Sequence, residues 1–161
     1  IGAGGALTWT TTRAAFGIKP SFVYSAEALT REAIKPMFAG GGKVLAASVS
    51  GNPVRHTRTP SGDSYPALIV TATRTPEREL LVMVVNRLPD RAVRARIRVD
   101  QRAVAAWARV RSVYGSRYTS ANDVDRPHAV RLHRSRVRSD RHGLEHRFPA
   151  ASTTLLRFVL R

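Results

Sequence analysis

The amino-acid sequence predicts a mainly β protein, an antiparallel β-sandwich of jelly-roll-like plan preceded by one strand-helix unit. Short apolar or alternating runs recur between residues 43 and 161 and are separated by turn residues, which is typical of sandwich strands. A helical spacing of apolar residues lies in residues 21–38. We therefore predict two parts, a strand-helix unit in residues 1–42 and a β-sandwich in residues 43–161.

The strand-helix unit opens with ALTWTTT (6–12), a threonine-rich strand that follows a glycine-rich entry. In residues 21–38, apolar side chains at intervals of three and four predict one face of an amphipathic helix: Phe22, Ala26, Leu29, Ala33 and Met37. Pro36 is expected to end regular helical hydrogen bonding early, and the glycines at 40–42 are expected to stop the helix.

The sandwich is predicted to begin with the strand KVLAASVS (43–50). A continuous apolar, β-branched run at 79–87 closes on Asn86, which is typical of a strand that is buried on both faces and ends in a turn. Residues 93–100 alternate strictly instead, with apolar side chains on one side and charged side chains, mostly arginine, on the other. This pattern predicts a half-buried strand with one solvated face.

Two arginine-containing runs, 107–114 and 132–137, are expected to be edge or solvent-facing strands. The last predicted strand, 153–160, follows Pro149. Proline suits the entrance of a strand because it cannot donate a hydrogen bond inside a ladder.

Length and composition limit the classes of protein to which this chain can belong. With 161 residues, of which 43% are hydrophobic, the chain can bury one sizeable core. No run approaches the roughly 20 apolar residues of a membrane-spanning helix, so no membrane partner is expected. The absence of cysteine excludes disulfides and thiolate metal sites, and it leaves the cellular location open. The first residues, IGAGGALTW, contain neither an initiating methionine nor a signal pattern, and we expect this chain to be part of a longer protein.

The net charge of +16, from 27 basic and 11 acidic side chains, suits a nucleic-acid binder. On an extended strand, Arg94, Arg96 and Arg98 would lie about 6.6–6.8 Å apart and could follow successive phosphates. No aromatic residue interleaves them, although stacking rings normally accompany single-strand grooves. A solvated arginine face is the preferred interpretation, and nucleic-acid binding remains an alternative.

Five short motifs follow one another in a recognisable order: GGKVLAASVSGNP (41–53), LIVTA (68–72), LLVMVVNR (80–87), N-D-x-x-x-P-x-x-V (122–130) and FPAASTTLLRF (148–158). Their order and spacing resemble the C-terminal part of α-L-arabinofuranosidases of glycoside hydrolase family 51 and of related barrel-plus-sandwich families. One departure is Ala150, which stands where the family has a second proline. The resemblance covers residues 20–160, and it also implies that residues 4–10 are the last strand of a catalytic (β/α)₈ barrel and that 21–38 is its last helix.

The resemblance implies that the catalytic residues lie outside this chain. Retaining glycosidases use two carboxylates about 5 Å apart, and the family's acid/base follows an asparagine, whereas no Asn-Glu pair occurs here. The glutamates are expected to be structural: Glu27, Glu32, Glu77, Glu79 and Glu145. We therefore expect no catalytic, cofactor-binding or metal-binding residue.

The partners that the resemblance implies are a catalytic barrel, upstream or in another chain, and an arabinose-containing polysaccharide or oligosaccharide. Unpaired apolar surface in residues 1–42 also favours association, including a homo-oligomer. Two aromatic residues, Trp9 and Trp107, are candidates for stacking on sugar rings, although buried structural tryptophans are more common.

Two other short motifs match known binding patterns but lack the structural context that those patterns require. The segment His142 to His146 fits H-x-x-E-H, a zinc pattern that requires a helix, but Gly143 and the nearby Pro149 indicate a turn followed by a strand. GGGK (40–43) has no serine or threonine after the lysine and follows a helix, unlike a phosphate-binding loop.

Three functional hypotheses remain. The favoured one is a non-catalytic sandwich that packs on and stabilises the barrel of an arabinofuranosidase-like hydrolase. The second is a carbohydrate-binding sandwich module, which would show a row of exposed aromatic residues. The third is the basic nucleic-acid-binding protein.

Overall fold

The computed structural model describes residues 12–14, 22–38, 40–57, 62–100 and 103–161. Its helical residues form α1 (Ala26–Ile34) and a 3₁₀ helix (Lys35–Phe38). The strands of these described residues are β1 Thr12–Ala14, β2 Phe22–Tyr24, β3 Lys43–Leu45, β4 Val54–His56, β5 Ser64–Pro66, β6 Leu68–Arg74, β7 Glu79–Asn86, β8 Val93–Arg98, β9 Trp107–Gly115, β10 Val130–Arg138, β11 Gly143–Phe148 and β12 Ser152–Val159.

Six strands form one antiparallel sheet in the order β10-β9-β12-β7-β6-β3, and β8 pairs with β11 in a second, two-stranded sheet. The pairs β4-β5 and β1-β2 are separate two-stranded antiparallel sheets. The last strand in chain order, β12, lies between β7 and β9. The predicted fold class, a mainly β antiparallel sandwich preceded by a helix, is confirmed.

The core lies between the six-stranded sheet and the β8-β11 sheet. Side chains on a strand alternate between its two faces, so Val82 of β7 and its cross-strand partner Leu156 of β12 point the same way. They belong to one buried cluster with Phe158 and with Leu144 and Phe148 of β11. We call this side of the six-stranded sheet its inner face and the opposite side its outer face.

Most strand predictions are confirmed. The predicted doubly buried strand is β7, and the predicted half-buried strand is β8, whose arginines are all exposed. The arginine-rich β10 is an edge strand, as expected. The prediction for residues 107–114 is wrong in part, because β9 lies inside the sheet between β10 and β12. Its inner-face residues, such as Ala108 and Val110, are buried, and its arginines point to the outer face.

The predicted helix is present but shorter. Residues 22–24 form β2, and the helix begins after Ser25, whose hydroxyl accepts a hydrogen bond from the backbone N–H of Ala28 at 3.1 Å. A serine at this position satisfies one of the free N–H groups of the first turn. As predicted for Pro36, the α-helix ends at Ile34 and continues only as a 3₁₀ turn. The predicted strand 6–12 lies, apart from Thr12, outside the described residues, and so does Trp9. Within the described residues, no helix has the length and apolar character needed to cross a membrane.

Candidate functional site

Helix α1 packs on the outer face of the six-stranded sheet. Ala33 is completely buried against Val113 of β9 and Val130 of β10, and four partly buried side chains pack around them: Ala26, Leu29, Ile34 and Leu132. The alanine lets the helix approach the strands closely, because any larger side chain would have to displace them. This surface, formed by α1 on β9 and β10, is the contact between the helical and β parts of the described chain.

Polar contacts with Glu32 hold the same helix over the arginines of the sheet. Arg134 of β10 donates to the Glu32 carboxylate at 2.5 Å, and Arg111 of β9 donates to the Glu32 backbone carbonyl at 3.5 Å. All of these side chains are at least partly solvated, so the ion pair contributes at most about 1 kcal/mol. The ion pair therefore supplies only a small part of the stability.

We expect Ala33→Leu to lower the free energy of unfolding by about 1–3 kcal/mol, because three extra carbon atoms must enter a filled contact. Urea denaturation measures this loss. The control is Lys35→Leu at the exposed C-terminal end of the same helix, where losing one solvated charge should cost less than about 1 kcal/mol. Equal midpoints for the two variants would show that α1 does not pack on the sheet.

Asn122 joins the helical part to the sandwich a second time. Its side-chain NH₂ donates to the carbonyls of Tyr24 in β2, at 2.8 Å, and of Val130 in β10, at 2.9 Å. Its oxygen accepts the N–H of Val130 at 2.7 Å. Thus the asparagine of the N-D-x-x-x-P-x-x-V motif is buried and positions the loop before β10 against β2.

Asn86, at the end of β7, also bridges backbone groups of separate loops with its side chain. It is 1% exposed, and its NH₂ lies within hydrogen-bonding distance of the carbonyls of Arg91, Phe148 and Pro149. Its oxygen accepts the N–H of Leu88 at 3.1 Å. The two motif asparagines therefore organise loops, and the sequence indicated only that Asn86 ends a strand.

The five glutamates are divided among α1, the turn before β7, β7 and β11, and they are paired with arginine or exposed. Glu27 and Glu32 belong to α1 and pair with Arg31 and Arg134. Glu77 lies exposed in the turn before β7. The remaining two pair with arginines of neighbouring strands: Glu79 with Arg157 at 2.7 Å and Glu145 with Arg94 at 3.2 Å. Four of the five glutamates are therefore partners in ion pairs within the fold.

Two aspartates have altered acidity. The Arg96 side chain and then the backbone N–H of His142 hold the pKa of Asp140 below its usual range. The backbone N–H of Arg126 does the same for the pKa of Asp123. Both shifts favour the charged form, which is the reverse of what a general acid needs. Asp140 also lines a shallow open groove with Val104, Ser139 and Arg161, where it is the one acidic side chain among the described lining residues.

The H-x-x-E-H segment is a turn followed by β11, as predicted. Because successive residues of a strand point to opposite faces, Glu145 and His146 point apart. Burial lowers the pKa of His146, which packs edge-on against Phe148. No group of three His, Asp or Glu side chains in the described parts of the chain could hold a metal ion.

The arginine row of β8 is partly neutralised. Arg94 pairs with Glu145, and Arg96 pairs with Asp140. Arg98 is exposed and lies opposite Gly143. Of the two tryptophans proposed to contact sugar, Trp107 is described, and 57% of its surface is exposed on the outer face of β9.

Comparisons with known proteins relate this fold to part of several glycoside hydrolases. No protein-family model matches the chain. A search of curated proteins finds no match either. Among solved structures, the GH51 arabinofuranosidase of Xanthomonas axonopodis pv. citri is 16% identical, with a TM-score of 0.71 over 85% of this chain and 27% of that one.

Two further structures have the same fold. The α-L-arabinofuranosidase of Thermotoga maritima, in its arabinose complex, is 20% identical, with a TM-score of 0.55 over 70% of this chain and 24% of that one. A GH30 endoxylanase of Clostridium papyrosolvens is 14% identical, with a TM-score of 0.56 over 84% of this chain and 28% of that one. The chain therefore spans less than a third of each of these enzymes. At the level of the fold, the resemblance to family 51 arabinofuranosidases expected from the sequence motifs is confirmed.

Proposed function

We propose that this chain is the non-catalytic C-terminal β-sandwich portion of a glycoside hydrolase resembling α-L-arabinofuranosidase. Its role is to pack on and stabilise the catalytic barrel, which lies upstream in the same polypeptide or in another chain. The observation that supports this most is the fold itself, because 85% of the chain matches a part that makes up only 27% of a family 51 arabinofuranosidase.

The packing of α1 on the sheet supports the proposed division of the chain. In this proposal, residues 1–42 are the end of the barrel and residues 43–161 are the sandwich. Ala33 and Glu32 of α1 then form part of the interface between the two, through the buried contact with Val113 and the ion pair with Arg134. The sheet would hold the last helix of the barrel in place.

The parent enzyme would hydrolyse terminal arabinofuranosides by a retaining mechanism with two carboxylates, one acting as acid/base and one as nucleophile. Both carboxylates would come from the barrel. The sandwich fold does not by itself specify the substrate or the linkage, because the same fold is also found in a GH30 endoxylanase. Arabinofuranosides are therefore the substrate that we propose.

The chain alone is expected not to hydrolyse 4-nitrophenyl α-L-arabinofuranoside, since four of its five glutamates are paired with arginines and the fifth lies exposed in a turn. Co-production with the polypeptide encoded upstream is expected to give activity and to raise the melting temperature of both parts, because binding to the folded state stabilises it. Release of 4-nitrophenol and a thermal melt measure the two effects.

The matched variants are Glu79→Gln and Glu145→Gln, which should leave the activity of the assembled enzyme unchanged. Hydrolysis by the isolated chain that one of these substitutions abolishes would overturn the proposal. So would an active, stable upstream polypeptide that neither binds this chain nor melts at a higher temperature in its presence.

A further inference from the structure

Four side chains form a patch at one end of the outer face of the six-stranded sheet. Trp107 and Arg109 are two residues apart on β9, and Arg136 and Arg138 are two residues apart on β10. Arg138 lies directly opposite Trp107, and Arg136 lies directly opposite Arg109. All four therefore share one face, about 5 Å apart across the strands and about 7 Å apart along them. We call them the tryptophan-arginine patch.

The patch is exposed, and its charges are uncompensated. Trp107 is 57% exposed, and Arg109, Arg136 and Arg138 are all exposed. Elsewhere on this face the arginines have acceptors, since Arg157 pairs with Glu79 at 2.7 Å and Arg134 pairs with Glu32. Among the described residues, no carboxylate lies within ion-pair distance of the three patch arginines. Three adjacent like charges repel one another, so a bound anion would relieve that repulsion.

We propose that the tryptophan-arginine patch binds a polysaccharide that carries carboxylate groups, a polyuronate or a uronate-substituted chain. The flat indole of Trp107 offers a surface on which the apolar face of a sugar ring can lie. The guanidinium groups beside it match carboxylates in a two-point, charge-assisted geometry. A neutral polysaccharide would use the ring but leave the three arginines unpaired.

A single aromatic side chain favours a sugar polymer over single-stranded nucleic acid. Grooves for single strands stack successive bases on several rings, whereas Trp107 is the one aromatic member of the patch. The contacts of α1 that lie nearest the patch are those of Glu32 with Arg111 and Arg134, two residues or about 7 Å along the strands from Arg109 and Arg136. The patch therefore adjoins the proposed barrel contact but shares no residue with it.

Binding of the 161-residue chain to sodium polygalacturonate in 150 mM salt tests the proposal. A Trp9→Phe background makes Trp107 the sole tryptophan, and its fluorescence should change on binding. We expect Trp107→Ala and Arg109→Ala each to weaken binding about tenfold, or 1.4 kcal/mol. Trp107→Phe keeps a flat ring and should bind within about threefold of the parent chain.

Matched controls separate a built site from diffuse attraction between opposite charges. Arg98→Ala removes one unpaired charge on the β8-β11 sheet, and Tyr118→Ala removes another exposed ring, so both should change affinity less than about twofold. Equal losses for Arg98→Ala and Arg109→Ala, with unchanged Trp107 fluorescence, would overturn the proposal. Equal affinity for neutral xylan, or tighter Trp107-dependent binding of a single-stranded DNA oligonucleotide, would overturn it as well. Circular dichroism confirms that each variant is folded.

Discussion

Replacement of Asn86 by leucine is expected to lower the free energy of unfolding by about 3–5 kcal/mol, because it removes the side-chain partner of four backbone groups: the N–H of Leu88 and three carbonyls that share the two amide hydrogens. The buried Leu88 N–H and the carbonyl of Phe148 lose their side-chain partner inside the protein. Each buried polar group left without a partner costs about 1–3 kcal/mol, and the carbonyls nearer the surface cost less because water can reach them. Urea denaturation followed by circular dichroism measures the loss.

The matched control is Asn52→Leu. Asn52 also bridges backbone groups, with its NH₂ on the Leu68 carbonyl at 2.7 Å and its oxygen on the Leu68 N–H at 3.0 Å, but it is half-buried. We expect a loss of about 1–2 kcal/mol for this variant. A loss as small for Asn86→Leu would mean that the side chain of Asn86 does not organise the loops after β7.

Asn86→Asp gives the same site a pH dependence. The new carboxylate would face three carbonyl oxygens in a buried position, so its pKa in the folded state should rise above the value in the unfolded chain. The folded state then binds the proton more tightly, and the variant should become more stable as the pH falls through that raised pKa. Urea midpoints between pH 7 and pH 5 check the sign, and a midpoint that falls more steeply than that of the parent chain over this range contradicts it.

The second large effect is expected at Gly143, the first residue of β11. Its φ of +134° is one that residues with a side chain rarely adopt, and an added Cβ would lie 2.0 Å from the backbone oxygen of Ile97. Because backbone atoms cannot move aside as a flexible side chain can, β11 would have to separate from β8. We expect Gly143→Ala to cost about 2–4 kcal/mol.

Gly51→Ala is the control for backbone strain without a collision. Gly51 also has a positive φ, +59°, but nothing lies within 4 Å of an added Cβ. Gly51→Ala should lower the free energy of unfolding by about 1 kcal/mol. Thermal melts of both variants compare the two losses. Equal decreases in melting temperature would show that β11 does not approach Ile97 as closely as the structure has it.

The pattern of apolar and polar residues within a strand was sufficient to predict which of its faces are buried. The continuous apolar run of β7 indicated burial on both faces, and the alternation in β8 indicated one solvated face. The position of β9 was missed because the order of strands in a sheet depends on distant partners. Its arginines suggested an edge, but they point to the outer face while β12 pairs along the other side of the strand.

The start of α1 was missed for a similar reason. The residues of β2 fit the apolar spacing of the helix, and what makes them a strand is pairing with β1, which no local pattern shows. The tryptophan-arginine patch could not be predicted from the sequence either, although Trp107 itself was a candidate for stacking on sugar rings. Its members come from two strands, and only their register places Arg138 beside Trp107.

The position of β12 has a consequence for biosynthesis. Strands β7 and β9 are joined only through β12, which the ribosome makes after every other strand described. Until residues 152–159 emerge, β7 and β9 each present an unsatisfied apolar edge, the kind of surface that chaperones cover and that proteases and aggregates exploit. A nascent chain halted before Ser152 should therefore be degraded or become insoluble, however many of its earlier strands are intact.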